Sequence, residues 1–596
     1  MDNGVFLASR LYWPAVTLLL AFLAALQITT ARKEAVTVDE PIELAAGYSY
    51  LMTGDFRMNP EHPPLAKLIA ALPVLAFHPV FPLDSAYWAK PDEYVFGLQF
   101  YYFNGRRADD FLFAARMTSI LLTACLGLAI ALWARSIFGA GTSLLALTLF
   151  VLDPNFIAHG RYVKNDVAMA LAGFLACIAW AAFLEKPSRR RILLAGLALG
   201  IAAATKFSAV FLLPVFVLLY AIRYFENREE LSIRHGIISL LLAVLVAGAV
   251  VWLVYAVVSF SHGVRPGGVD AQIVHDLLDR TYKNSVARMT HRGVLHAHPF
   301  LEGLLVLLDH DQIGHPAFLL GMHSLKGWWY YFPVAFAVKT PAATLAALIL
   351  CAFLWFFQPA NAWRVRNGEA GGSAFLSTSP EHAGETASAT FARWGRRFSL
   401  PIQWAVLIVP VLVYWIFSLG SHINLGIRHL LPIWPFLFIL IAATLVHTRF
   451  PAKPWVLAIL IAGLAIETLA IHPYYLSFFN VLSGGPRNGG KILADSNIDW
   501  GQDANRLKDW LTAHPVSHLC LDYFGTANLP LLGIQGPHPP ATGEKGKRAA
   551  LDCIAAMSVT SLDEVLYPPG TYAWIRDLDP MARVGYSIYI YDLRKK

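Results

Sequence analysis

Apolar runs of about fifteen to twenty-five residues recur along this chain, and each is long enough as a helix to cross a bilayer. They lie near 11–30, 117–134, 141–157, 167–184, 191–205, 207–222, 236–259, 333–357, 401–419, 430–447 and 454–472. Eleven crossings are therefore expected. Hydrophobic residues make up 56% of the 596 positions and charged residues 15%, with a mean hydropathy of +0.50, which leaves too little polarity for an ordinary soluble fold. The expected fold class is mostly α: a polytopic membrane helical bundle over 1–472, followed by a small α/β domain over 473–596.

The net charge of +7 does not indicate nucleic acid as a partner, because the basic residues sit in short clusters between apolar runs. Arg10, Arg135, Lys186 with Arg189 to Arg191, Arg223 with Arg228 and Arg234, Arg364 to Arg397, and Arg449 with Lys453 fall on one side if the amino terminus is cytoplasmic. This needs 191–222 to be two helices broken at Lys206, since a single helix would put the later arginines outside. The exterior then comprises 31–116, 158–166, 260–332, 420–429 and 473–596. Localisation in a bacterial cytoplasmic membrane, with the chemistry on its outer face, is the expectation.

The first apolar run is longer than a signal-peptide core and reads as a retained anchor. Residues 63–77 are apolar but too short to span, so they are expected to lie at the interface or to re-enter. On the inner side, 360–398 is rich in Gly, Ser, Ala, Thr and Glu without an apolar period and reads as a disordered linker. In the tail, the short β-rich runs 518–524 and 586–592, set off by Gly and Pro, read as strands. Of the five cysteines, Cys125, Cys177 and Cys351 lie in apolar runs, whereas Cys520 and Cys553 can pair if the tail faces an oxidising compartment.

The chemistry concentrates in the outer loops. A carboxylate pair at the mouth of a membrane helix, Asp39 and Glu40, is costly to keep near lipid unless it acts, and a partly desolvated carboxylate suits general-base work on a hydroxyl. Capping or ion pairing is the plainer alternative. Glu61 and His62 follow on the same loop. The second loop brings His159, Arg161 and Asp166 together, with Asp166 equally able to cap its helix. Short outer loops should be poor in basic residues, so Arg161, Lys164, Lys206 and Arg428 call for a reason, and a lipid-linked phosphate supplies one. Snorkelling to headgroups is the competing reading.

Residues 260–332 carry eight of the twenty histidines, including His296, His298, His310 and His315, but without the spacing of a helix-borne zinc site. A divalent metal stays open, with Glu61 and His62 as candidates. The stretch Asp495, Asn497, Asp499 begins like a calcium loop. Trp500 replaces the turn glycine and Arg506 the bidentate glutamate, so acceptor recognition or a structural turn fits better.

Asp39-Glu40-Pro41, Glu61-His62-Pro63-Pro64-Leu65, His159-Gly160-Arg161 with Asp166, Thr205-Lys206-Phe207, Gly327-Trp328-Trp329-Tyr330-Tyr331-Phe332-Pro333 with Lys339-Thr340-Pro341, and Asn424 to Pro432 together resemble the lipid-carrier-dependent glycosyltransferases of GT-C fold. The resemblance is to bacterial members of glycosyltransferase family 39, akin to protein mannosyltransferases and the aminoarabinose transferase. It implies transfer of one glycosyl unit from a polyprenyl-phosphate sugar to an acceptor hydroxyl of protein, lipid or cell-wall glycan, with inversion. By that resemblance Asp39 is the base, with Glu40 beside it and Asp166 a second acid, while Lys206 and Arg428 hold the donor phosphate. The family's Glu-Lys-Pro-Pro pattern reads Glu61-His62-Pro63-Pro64 here, so the phosphate contact carried to His62 falls on a group neutral over much of the physiological range. A flippase for lipid-linked sugar and a membrane-anchored sensing protein are the alternatives. The chain lacks the paired halves expected of the former, and the latter leaves the first-loop motif unused.

Overall fold

Every expected apolar run falls on helix, and the longest of them build one packed bundle. The computed structural model describes residues 2–226, 231–262, 299–357, 401–540, 552–576 and 578–594. The expected linker 360–398, together with His296 and His298, lies outside the described residues. Among the described residues, eight helices are long and apolar enough to cross a membrane, or nine if the pair Tyr331–Lys339 and Ala342–Phe356, bent by 111°, is one span. Pro341 stands at that bend, where its ring and missing N–H interrupt the helix. The other two runs expected to cross form shorter helices, Ala140–Val151 with 12 residues and Arg189–Thr205 with 17.

The break at Lys206 is present: helix Arg189–Thr205 stops there, Lys206 is extended, and the chain resumes as a 3₁₀ turn leading into Leu212–Glu226. Residues 63–77 form helix Leu65–Ala71 and a 3₁₀ continuation over Leu72–Phe77. Helix Arg189–Thr205 packs on Ile233–Ser261 through Gly196 and Gly200, one turn apart. A Cβ at either would stand 2.7 or 2.6 Å from the Cβ of Val246 or Val250, so only glycine allows this approach.

The tail divides physically. Residues 519–592 hold a four-stranded sheet of β3 (Leu519–Asp522), β4 (Ile554–Ser558), β5 (Ala582–Val584) and β6 (Ile588–Asp592) in the order β3-β4-β6-β5, while β1 (Ala317–Leu319) and β2 (Met322–Ser324) form a separate hairpin. Strands β3 and β4 run parallel, and a Cys520–Cys553 disulfide ties them. Before the sheet, Tyr475, Leu476, Phe478, Phe479, Leu493, Ile498 and Trp500 are buried in the core of the helical bundle itself. Lys339 anchors that stretch by donating to the carbonyls of Leu476 at 2.9 Å and Asn497 at 2.6 Å.

Candidate active site

Asp39 immediately precedes helix Glu40–Thr53, but its carboxylate makes no capping hydrogen bond. It turns instead to Lys164, whose Nζ is 2.9 Å from Asp39 Oδ2 and 2.7 Å from Glu43 Oε1. Glu43, one helical turn after Asp39, shares its face. Arg428 Nη1 sits 3.5 Å from Asp39 and 3.6 Å from Asp166, and Asp166 is also paired with Lys206. Asp166 begins helix Asp166–Glu185, Lys206 occupies the break, and Arg428 follows Ile427 in a 3₁₀ turn, so three separate chain turns deliver one cluster. Side-chain exposure falls from 21% at Asp39 to 6% at Arg428 and 2% at Asp166. The cluster thus opens on the Asp39 side.

Burial alone would raise the Asp39 carboxyl, but Lys164 and Arg428 outweigh it and hold Asp39 below the usual carboxylate range. It is ionised at neutral pH. His62 behaves oppositely: burial first, then the charges of Lys164 and Lys206, push it well below the ordinary imidazole range. It is neutral, and offers a phosphate no charge. Glu61 accepts from His310 Nδ1 at 3.2 Å, and His310 Nε2 lies 3.1 Å from His315 Nδ1. Among the described residues no three His, Cys, Asp or Glu side chains converge in a way that could hold a metal ion.

A cavity of about 520 Å³ opens beside the cluster, with Glu61, His62, Lys164, Asn165, Lys206 and Arg428 at its polar end and Phe211, Leu304, Tyr414 and Phe417 along its apolar wall. Several polar atoms at that end are buried without a hydrogen-bond partner in the protein: Arg428 Nε, His62 Nδ1 and both side-chain heteroatoms of Asn165. Their hydrogen-bonding capacity is not used by the protein, which leaves a polar end able to take donors and acceptors from outside it. A second, almost wholly apolar groove of about 440 Å³ shares Phe207, Val210 and Leu304 with the first.

Two residues expected at the site, Glu40 and Arg161, lie elsewhere, and three read as acceptor contacts or structural residues, His159, Asn497 and Asp499, take the structural role. Glu40 faces the bundle, where Arg116 grips it through Nε at 2.8 Å and Nη2 at 2.6 Å, and the amides of Thr37 and Val163 donate to it. Arg161, fully buried, is held bidentately by Glu34 at 2.8 and 2.7 Å. Neither reaches the cavity. His159 is buried edge-on against Trp500, Asn497 Oδ1 accepts from the Ile427 amide at 3.1 Å, and Asp499 accepts from the amides of Thr560 and Gly501. These three shape loops. Asp495, by contrast, is close enough to Arg428 to feel its charge, although burial pushes its carboxyl up to about 6. Glu43 and Asn165 were not expected at the site. Their signals were the one-turn spacing from Asp39 and the position between Lys164 and Asp166.

Residues 108–255 match the model of the family described as Dolichyl-phosphate-mannose-protein mannosyltransferase. No curated protein matches by sequence. Among solved structures, ArnT from Cupriavidus metallidurans bound to undecaprenyl phosphate aligns over 98% of this chain and 99% of its own at 12% identity and a TM-score of 0.42. The apo state of ArnT from the same organism aligns over 96% and 97% at 13% identity and 0.31. The S. cerevisiae protein O-mannosyltransferase Pmt1-Pmt2 complex bound to the sugar donor aligns over 42% and 33% at 20% identity and 0.30. With its matched segment and its motifs taken together, this chain resembles the polyprenyl-phosphate-dependent glycosyltransferases of GT-C fold.

Proposed function

We propose that this protein transfers a glycosyl unit from a polyprenyl-phosphate-linked sugar to an acceptor hydroxyl on the outer side of the cytoplasmic membrane, with inversion. The observation that carries this is Arg428, poised between Asp39 and Asp166 with its Nε unpartnered, at the polar end of a cavity that also holds Lys206. The donor phosphate binds against Arg428 and Lys206, whose charges are strengthened where water is scarce. The isoprenoid chain suits the adjoining apolar groove. Asp39 removes the acceptor proton as the acceptor oxygen attacks the anomeric carbon and the bond to phosphate breaks. The electron pair of that bond goes to the phosphate, where the two cations stabilise it. Because phosphate leaves readily, no strong general acid is required, unlike the paired carboxyls of a glycosidase. A single displacement inverts the anomeric centre.

The test supplies purified full-length protein with labelled polyprenyl-phosphate sugar and envelope material from a strain lacking it, with mass spectrometry of the product. Wild-type protein is expected to form a new glycosylated species. Movement of donor across vesicles without such a product would replace this reading with that of a flippase.

A further inference from the structure

The tail loop around Asp495–Gln502, read in the sequence as acceptor contact or turn, touches both halves of the cluster at once. The Ala35 amide donates to the Gln502 carbonyl at 2.9 Å and the Val38 amide to the Trp500 carbonyl at 3.0 Å. Val38 directly precedes Asp39. On the other half, Ser496 Oγ donates to the Leu425 carbonyl at 2.5 Å, and the Ile427 amide donates to Asn497 Oδ1 at 3.1 Å. Ile427 directly precedes Arg428. Gly426 lies so close that a Cβ there would stand 3.0 Å from both Asn497 Oδ1 and Ser496 Oγ. One short loop therefore sets the backbone in front of each of the two residues that the proposed reaction uses.

The loop also reaches a side chain. The Trp500 indole, 2% exposed, lies under the Arg428 guanidinium at 4.6 Å and is wedged edge-on against Tyr162 at 5.7 Å and His159 at 6.1 Å. Arg428 reaches its two carboxylates only at 3.5 and 3.6 Å, beyond close charge-assisted hydrogen-bond distance. The indole face thus supports the guanidinium beside those two looser ion pairs. An aromatic platform orients an arginine without consuming its N–H donors, which stay available to an anion.

Resting on the transfer reading above, we propose that Trp500 is a positioning residue of the transfer site, holding Arg428 flat so that its free N–H groups face the donor phosphate, and that the tail loop is part of the transfer machinery. The prediction concerns donor handling. Trp500→Leu keeps bulk but loses the π face, and is expected to raise the donor KM about tenfold and lower kcat, with acceptor KM unchanged. Trp500→Phe, with a smaller π face, should fall between Leu and wild type. Steady-state transfer with labelled polyprenyl-phosphate sugar, beside thermal unfolding in detergent, reads this grading, and if the Leu variant does not accumulate, the Phe variant decides. Wild-type donor KM in Trp500→Leu, in Trp500→Phe where that variant must decide, or equal rises in donor and acceptor KM, would overturn the positioning role while leaving the transfer reading intact. Absence of transfer by the wild-type protein would instead overturn the transfer reading, and this one with it.

Discussion

Asp39 and Glu40 are neighbours with the same functional group in different surroundings, Asp39 beside Lys164 and Arg428 and Glu40 gripped by Arg116, and two conservative substitutions separate their proposed roles. Asp39→Asn preserves shape and removes the proton acceptor, so kcat should fall by roughly 10²–10⁴-fold. Donor affinity should hold or improve. Asp39 lies 3.5 Å from Arg428, so its charge competes with an incoming phosphate. Two unit charges about 7 Å apart at an effective dielectric of about 20 repel by roughly 2 kcal/mol, the most that could be regained. Glu40→Gln acts on stability instead. Its carboxylate accepts from Arg116 twice and from the amides of Thr37 and Val163, at 2.6 to 3.1 Å, with both charged partners almost fully buried. Gln cannot serve both oxygens' donors and leaves Arg116 uncompensated, a loss of about 3–5 kcal/mol. The assay pairs label transfer with thermal unfolding followed by tryptophan fluorescence in detergent. Full turnover by Asp39→Asn, or an inactive Glu40→Gln with unchanged melting, would refute the assignment.

Three further outcomes follow from the same geometry. Arg428→Gln and Lys206→Gln should each weaken donor binding well beyond acceptor binding, measured by titration with polyprenyl phosphate, and equal losses would argue against a phosphate contact. Lys164→Met removes a charge that holds the Asp39 carboxyl low, so the folded value rises and the acid limb of kcat/KM should move to higher pH. A limb that stays or moves down would contradict the pairing. Arg161→Met should destabilise by about 3 kcal/mol, because it leaves the buried Glu34 carboxylate with only Arg506 at 3.7 Å and the Tyr162 hydroxyl at 3.0 Å, seen as a lower melting temperature. An Arg161 variant that melts normally but binds donor poorly would restore its expected phosphate role.

Much of the fold was legible because a membrane helix leaves a length signature in composition, and because a lysine between two apolar runs, as at Lys206, marks a break. The site was legible in part. Asp39, Asp166, Lys206, Arg428, Glu61 and His62 converge as their loop positions suggested. Adjacency could not say which of Asp39 and Glu40 joins Lys164 and Arg428 and which turns to Arg116, since successive residues at a helix start point about 100° apart. Nor could it show that Arg116 waits 76 residues away for Glu40, or that Glu34 waits 127 residues away for Arg161. A basic residue in an outer loop looks the same whether its partner is phosphate or a buried glutamate. The tail escaped for a related reason. Residues 475–500 bury apolar side chains in the bundle from loops, which have no period to read.

The charge balance of the cluster ties the roles together. Lys164, Lys206 and Arg428 face Asp39, Glu43 and Asp166, three cations directly paired with three carboxylates, with Asp495 near Arg428 and Glu61 at the cavity's polar end. A phosphodiester donor brings one negative charge. In the proposed transfer, Asp39 becomes neutral as it takes the acceptor proton, and the departing phosphate gains the charge that Asp39 gave up. The total is the same before and after, and only its location changes, from Asp39 across Arg428 toward Lys206. Relocating charge within a preorganised cluster demands little reorganisation, whereas creating it in a dry cavity would be costly. Arg428 spans the two ends of that path. Its replacement by lysine, a point charge without a planar fork, should therefore impair turnover more than donor affinity, and a variant that lost only affinity would show that no such transfer of charge passes over it.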